Sequence, residues 1–265
     1  MSRPLLVGIS GIAVATAGYL FGRSFVGKRP NFSDAHELNQ LPTVAVYNKV
    51  APIFDKSTNT DEFLMGIPIL RMALLRNCEG DVLEVGAGTA KNLRYFPFRK
   101  LKSLTLVDNS SEMIKMTNTK IENAKFSWEY WLFPIQIESL EANSEKLPFP
   151  DNSFDTAVST FTICSFDNPK LALSELKRVV KPNGKLLFLE HGMSCTDKPT
   201  TNSPGYATIN DRLNKNAALH HYNWGCHWNR NIGDLVIDSF PSAADSFWRW
   251  HFGTTLYAKI INTGE

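Results

Sequence analysis

The sequence predicts an α/β protein, a mostly parallel sheet covered by helices on both faces, carried behind one N-terminal transmembrane helix. Three observations predict it. Short apolar runs alternate with longer amphipathic stretches from Val44 onward, the pattern of a parallel sheet with crossover helices. The first such run, DVLEV, passes directly into a glycine bend, Gly86-Ala87-Gly88. Ahead of all this lies an uncharged apolar stretch at residues 4–22.

That stretch is dominated by Leu, Val, Ile, Ala and Gly. At about 1.5 Å per residue a helix there measures roughly 28 Å, one bilayer core. Arg3 precedes it, Arg23, Lys28 and Arg29 follow it, and the first acidic residue is Asp34. A secretory signal has a shorter apolar region, so the expectation is an uncleaved single-pass anchor; basic, acid-free flanks also suit a mitochondrial address. Gly18 and Gly22, continued by Gly11 and Ala15, form a small-residue face of a kind common in membrane helices. Residues 1–30 are thus read as anchor or targeting segment, 31–43 as linker, and 44–265 as the soluble domain.

The whole chain of 265 residues has net charge +2 and no run of Lys or Arg, so it lacks the field that holds nucleic acid. Its four cysteines, Cys78, Cys164, Cys195 and Cys226, are far apart with no CxxC pair, which indicates neither a disulfide framework nor a structural zinc site.

Along the soluble part, an amphipathic stretch to about Asn77 precedes the strand DVLEV, then come a helix near Leu93, the strand SLTLVD and a helix from Ser111 to about Asn123. A strand is expected around Trp131 to Ile137, another at Thr156 to Ile163, a helix at Lys170 to Val180, and the strand KLLFLEH. Between the last two, Pro182 ends the helix and Gly184 permits positive φ. A polar insertion follows Gly192; WGCHWNRNIGDLVIDSF is expected to be helical, and two short strands fall near Phe247 to Phe252 and Thr255 to Ile260.

Gly86 and Gly88 at the end of an early strand let backbone approach a ligand closely. A dinucleotide site would place a third glycine where Lys91 stands, which disfavours a pyrophosphate. Glu84, inside the strand, is costly to bury without a donor and suits a cationic ligand such as S-adenosylmethionine (SAM), although it could instead organise the turn. Asp108 ends the next strand, where a carboxylate accepts ribose hydroxyls or caps a helix.

Four segments in order, DVLEVGAGT, VD followed by SSEMI, SEKLPFPDNSFDTAVST and LSELKRVVKPNGKLLFLEHG, resemble the UbiE-like class I SAM-dependent methyltransferases over Tyr47 to His191. The resemblance implies a Rossmann-like, seven-stranded fold and SAM as cofactor. It places Glu84, Gly86 and Gly88 beside the methionine part, Asp108 at the ribose and Ser110 to Met113 on the adenine side, with Asn109 also among the cofactor-binding residues. Asn143 stands where the family often has an acid facing the adenine amine, and Ser144 lies beside it. Thr160, with Thr162, would face the sulfonium. LEHG, WGCHWNRNIG and HFGTT further resemble membrane-anchored, Oms-type mitochondrial proteins and the related alkyl-thiol methyltransferases. That likeness favours the mitochondrial inner membrane, with endoplasmic reticulum or lipid droplet as the alternative.

Methyl transfer from SAM asks the protein mainly to align an acceptor and exclude water; a thiol or hydroxyl acceptor must also lose a proton. His191, His221 and Cys226 are the catalytic candidates, with residues 192–228 as a substrate-side lid. Trp224 and Trp228 would supply its apolar contacts, and Asn229 and Arg230 would anchor the following helix. As metal ligands His220, His221, Cys226 and His227 are poorly disposed, so no metal is expected. An aromatic lid beside a membrane anchor points to a small hydrophobic acceptor: a quinone precursor, a lipid or an alkyl thiol. The competing class is a non-catalytic assembly or scaffold factor on the same fold, and the sequence carries no sign of oligomeric state.

Overall fold

A computed structural model of the chain describes residues 42–194, 204–245 and 247–264. The anchor expected at residues 4–22 and most of the linker lie outside the described residues. Among the described residues no helix is long and apolar enough to cross a membrane.

Helices α1 (Thr43–Leu64) and α2 (Ile67–Leu75) are joined through Gly66, whose φ of 70° turns the chain between them. Strand β1 (Gly80–Val85) follows. The helix expected near Leu93 is not there: only two 3₁₀ turns, Leu93–Tyr95 and Phe98–Lys100, bridge to β2 (Leu101–Asp108). Pro97, lacking an N–H, sits where such a helix would continue. Helix α3 (Ser111–Ala124) starts at Ser110, whose hydroxyl accepts from the Met113 amide at 3.2 Å.

The strand expected at Trp131 to Ile137 is also displaced. Ser127 caps a short helix, α4 (Trp128–Leu132), by accepting from the Tyr130 amide, and β3 (Gln136–Glu141) begins only after Pro134. Strand β4 (Phe154–Thr160), helix α5 (Pro169–Val179) and strand β5 (Val180–His191) lie close to their expected positions. In the KPNG bend Asn183, not Gly184, takes the left-handed conformation, with φ 63°. Gly184 is required by space instead, since a Cβ there would lie 2.6 Å from Val180 Cγ1.

The insertion contains two helices, α6 (Pro204–Lys215) and α7 (Ala217–Trp224). The long helix expected from Trp224 is interrupted: Gly225, with φ 69°, ends α7, and α8 (Ile232–Ser239) restarts only after Asn231 caps the Asp234 amide. Strands β6 (Phe247–Trp250) and β7 (Thr255–Ile261) complete the sheet.

The seven strands run in the order β3-β2-β1-β4-β5-β7-β6, with β1 to β5 parallel and β7 antiparallel to both neighbours. Alternation divides the core in two. Leu83, Val85, Ala157 and Phe188 face α5 and α8, while Val82, Leu106, Val158 and Leu187 face α2 and the 3₁₀ turns. From β1 the chain steps out through β2 to β3, then crosses back to β4 on the other side of β1. Such a reversal opens a crevice at the carboxyl ends of the two central strands. Helix α1 closes over it, packing Val46, Val50 and Ala51 against Met113 of α3.

Candidate active site

Glu84 lies one residue from the end of β1 with its side chain on the α2 face, 1% exposed. Its Oε1 accepts from Asn92 Nδ2 at 2.7 Å, while Oε2 is buried without a partner. Burial pushes its carboxyl up to about 7, against the lowering effect of Asn92 and of Arg71. An orphaned carboxylate oxygen on a cleft wall is a vacancy for a ligand donor, and a ligand ammonium group supplies both the hydrogen and the charge.

Asp108, at the end of β2, is gripped by backbone: Oδ2 accepts from the Gly88 amide at 2.8 Å and Oδ1 from the Ser110 amide at 2.9 Å. Burial raises its pKa, partly offset by these amides. Each oxygen keeps a lone pair for a ligand hydroxyl. Gly86 and Gly88 both have left-handed φ, 59° and 57°, for different ends. A Cβ on Gly86 would lie 1.9 Å from Thr162 Cγ2, whereas one on Gly88 would meet no atom within 4 Å and would project into the cleft.

The cleft, about 160 Å³, is lined by every cofactor residue expected from the sequence: Glu84, Gly86, Gly88, Asp108, Asn109, Met113, Asn143, Ser144 and Thr160. Two of their polar groups are committed elsewhere. Asn143 Oδ1 accepts from its neighbour, the Glu145 amide, at 2.8 Å, and Thr160 Oγ1 accepts from Arg71 Nη1 and Asn92 Nδ2 at 3.0 Å each. Thr160 therefore spends its hydroxyl on the network beneath the cleft. Thr162 donates to the Thr160 carbonyl at 3.0 Å.

That network was not expected from sequence. Arg71 of α2 donates to Asn92 Oδ1 at 2.7 Å and pairs with Glu62 of α1 at 3.0 Å; Lys91 pairs with the same carboxylate at 2.9 Å. Nothing local in the sequence marks Arg71, which lies in the amphipathic stretch ending near Asn77, and Asn92 lies in the segment expected to be helical near Leu93.

The second expected group, around the lid, separates. His191, at the end of β5, turns Nε2 toward Cys226 Sγ at 3.0 Å and Cys164 Sγ at 3.2 Å, and the two sulfurs stand 2.9 Å apart. Burial opposes charge on both Cys164 and His191. The hydrogen bonds of Cys226 and His191 nonetheless hold Cys164 well below the usual thiol range, and the neighbouring Cys164 raises His191. Cys164 was not singled out as a site residue from sequence, because nothing local marks it. His221 is 1% exposed and stacks on His227 at 4.2 Å, whereas His220 stacks on Trp228 at 3.8 Å and lines a cavity. Burial pushes His220 down to about 3 and His227 down to about 4, so both are neutral.

Asn231, not Asn229 or Arg230, caps α8; Arg230 Nη1 donates to the Ile163 carbonyl at 3.0 Å and to the Phe166 carbonyl. The same loop is held from its other side by Glu190, which accepts from the Thr162 amide at 2.9 Å, the Ile163 amide at 3.2 Å and Ser159 Oγ at 2.7 Å. Burial pushes Glu190 up to about 8.

Beside the cofactor cleft lies a larger cavity of about 540 Å³ with Met65, Ile67, Leu219, Trp224 and Trp228 in its wall. Tyr47, Phe54, Glu62 and Phe161 belong to the walls of both.

A sheet of this order, with an unpartnered carboxylate and an amide-held aspartate across a glycine bend, fits the SAM site expected from the sequence. The cofactor is SAM, as the methyltransferase domain to which this part of the chain is similar implies. The methyltransferase domain family model matches residues 83–188. The methyltransferase OMS1, mitochondrial, of Saccharomyces cerevisiae is 31% identical over 84% of this chain and 48% of its own length. The ubiquinone/menaquinone biosynthesis C-methyltransferase UbiE of Cronobacter sakazakii is 31% identical over 55% of this chain and 57% of its own. The chain thus spans about half the length of these curated relatives. In fold, it is similar to a SAM-dependent methyltransferase of Thermotoga maritima described as a possible histamine N-methyltransferase, with TM-score 0.55, 16% identity, and coverage of 83% of this chain and 99% of that one.

Proposed function

We infer that this chain transfers a methyl group from SAM to a small lipophilic acceptor held in the larger cavity. The observation that carries this reading is the wall shared by the two cavities: Phe161, at the exit of β4, borders the cofactor cleft on one side and the apolar chamber on the other. When bound, SAM supplies a methyl already activated by a sulfonium. What remains for the protein is alignment and exclusion of water. Glu84 and Asp108 would hold the amino-acid and ribose ends, with Met113, Asn109, Asn143 and Ser144 on the adenine side. Trp224, Trp228 and Phe54 would dry the acceptor.

A quinone precursor is the first acceptor to assay, given the quinone chemistry in the name of the UbiE relative. The uncharged stretch at residues 4–22 and the mitochondrial relative together support action at a mitochondrial membrane. The test is incorporation of radiolabelled methyl from SAM into membrane lipid extracts. Incorporation that needs the wild-type chain and disappears with Asp108→Ala is expected. No incorporation by a chain that binds SAM would favour an assembly role instead.

A further inference from the structure

Cys164, His191 and Cys226 come from three segments: the loop after β4, the end of β5 and the loop after α7. They lie 27 and 35 positions from one another through His191, so no local motif brings them together. Their three donor atoms fall within 4.8 Å of one another. Both cysteines are buried and free of any disulfide. The sulfurs, 2.9 Å apart, are closer than ordinary non-bonded packing favours.

We propose that these three side chains bind one zinc-class divalent ion through two thiolates and the His191 Nε2, leaving its fourth position to the larger cavity. The donor set is of the soft kind that selects zinc over magnesium or calcium. Charge favours it as well, because two thiolates neutralise a dication and leave no net charge in the interior. Zn–S bonds of about 2.3 Å and Zn–N bonds of about 2.0–2.1 Å put tetrahedral donors roughly 3.5–3.8 Å apart. The observed 2.9, 3.0 and 3.2 Å therefore need to open by less than about 1 Å around the ion.

Among the described residues no fourth His, Cys, Asp or Glu joins the group. His191 and Cys226 both stand in the cavity wall, so the remaining position faces the chamber. Three protein ligands with one open position is the pattern of zinc that binds and polarises a small molecule, in contrast to closed structural sites. Binding needs no oxidant: each thiol that ionises passes its proton to the buffer. The ion site stands on this cluster alone. Its service to an acceptor rests on the methyl-transfer reading, in which an oxygen or sulfur ligated at the open position would lose its proton more readily.

The full-length chain, solubilised in detergent, kept reduced and stripped with a chelator, is titrated with Co²⁺ and then with Zn²⁺. Expected is a sulfur-to-cobalt charge-transfer absorption that saturates at one ion per chain and is bleached by zinc. Cys164→Ser and Cys226→Ser should each weaken the ion by roughly a hundredfold or more. Cys78→Ala, on the opposite face of the sheet core, should leave the absorption intact. SAM binding by calorimetry is measured on every variant, so loss of cobalt with SAM affinity retained isolates the site from unfolding. Competition of the wild-type chain with chelators of graded strength gives the affinity without any variant. A reduced wild-type chain that binds SAM and shows no such absorption overturns the proposal, as does an absorption that survives both serine variants. A disulfide joining Cys164 to Cys226 in the chain kept under reductant would replace the ion site with a redox pair. None of these failures touches SAM binding, so the methyl-transfer reading is judged separately by methyl incorporation.

Discussion

At the scale of the residue, the proposed function makes Glu84 a link between proton and cofactor. Its unfolded carboxyl ionises near 4.5 and its buried one near 7. Between those values the folded chain keeps a proton that the unfolded chain has released. This group's contribution to stability is therefore fully present below about 4.5 and declines as pH rises through about 7. Binding a ligand ammonium reverses the preference. SAM affinity should weaken as pH falls below about 7, by up to about tenfold per unit, with proton uptake by the buffer on binding. Calorimetry in two buffers of different ionisation enthalpy measures it. Glu84→Gln should flatten this pH dependence and cost about 1.5–3 kcal/mol of SAM binding. That Glu84 and Asp108 would face one cleft was legible in the sequence, because both stand at the carboxyl ends of neighbouring strands beside a glycine bend. Arg71, Asn92 and Cys164 were not legible, since each acts through partners distant in the chain.

At the scale of the element, the two glycines of the bend separate folding from binding. Gly86→Ala combines a left-handed φ with a Cβ 1.9 Å from a methyl carbon, and should destabilise the chain by about 2–4 kcal/mol in urea melts. Gly88→Ala meets no neighbour, so it should cost about 1 kcal/mol of stability yet lose most SAM affinity. Asn231→Ala should cost about 1 kcal/mol by removing the cap of α8. Strands β1, β2 and β5 were legible from sequence because buried parallel strands are continuous apolar runs. The strand expected from Trp131 to Ile137 was misplaced because aromatic residues favour strands in general, while the cap at Ser127 and the break at Pro134 made Trp128–Leu132 a helix and delayed the strand to Gln136. The segment after Ala90 was misread because a crossover normally carries a helix, and Pro97 together with the demand of Glu84 for Asn92 left only 3₁₀ turns.

At the scale of the whole molecule, the described residues hold the seven-stranded sheet and the two cavities, while the apolar stretch at residues 4–22 stands outside them. Deleting residues 1–30 should therefore leave SAM affinity unchanged and abolish flotation of the chain with liposomes. Methylation of an acceptor supplied in liposomes should fall by about tenfold or more, while a detergent-soluble analogue is methylated normally. The architecture was legible because alternation and order are properties of the whole chain. The Cys164–His191–Cys226 cluster was hidden because it forms only when strand order and the turn after α7 bring three distant segments together.

The loop from Thr162 to Phe166 is seized twice, its amides by Glu190 and its carbonyls by Arg230. A peptide stretch pinned on both its donors and its acceptors is held in place in the wall of the cofactor cleft, which Thr162, Ser165 and Phe166 line. Loosening one grip leaves the other pulling on a strip free to follow. In a double-mutant cycle of Glu190→Gln and Arg230→Met, the paired change should cost less than the sum of the single ones, with a coupling of about 1–3 kcal/mol.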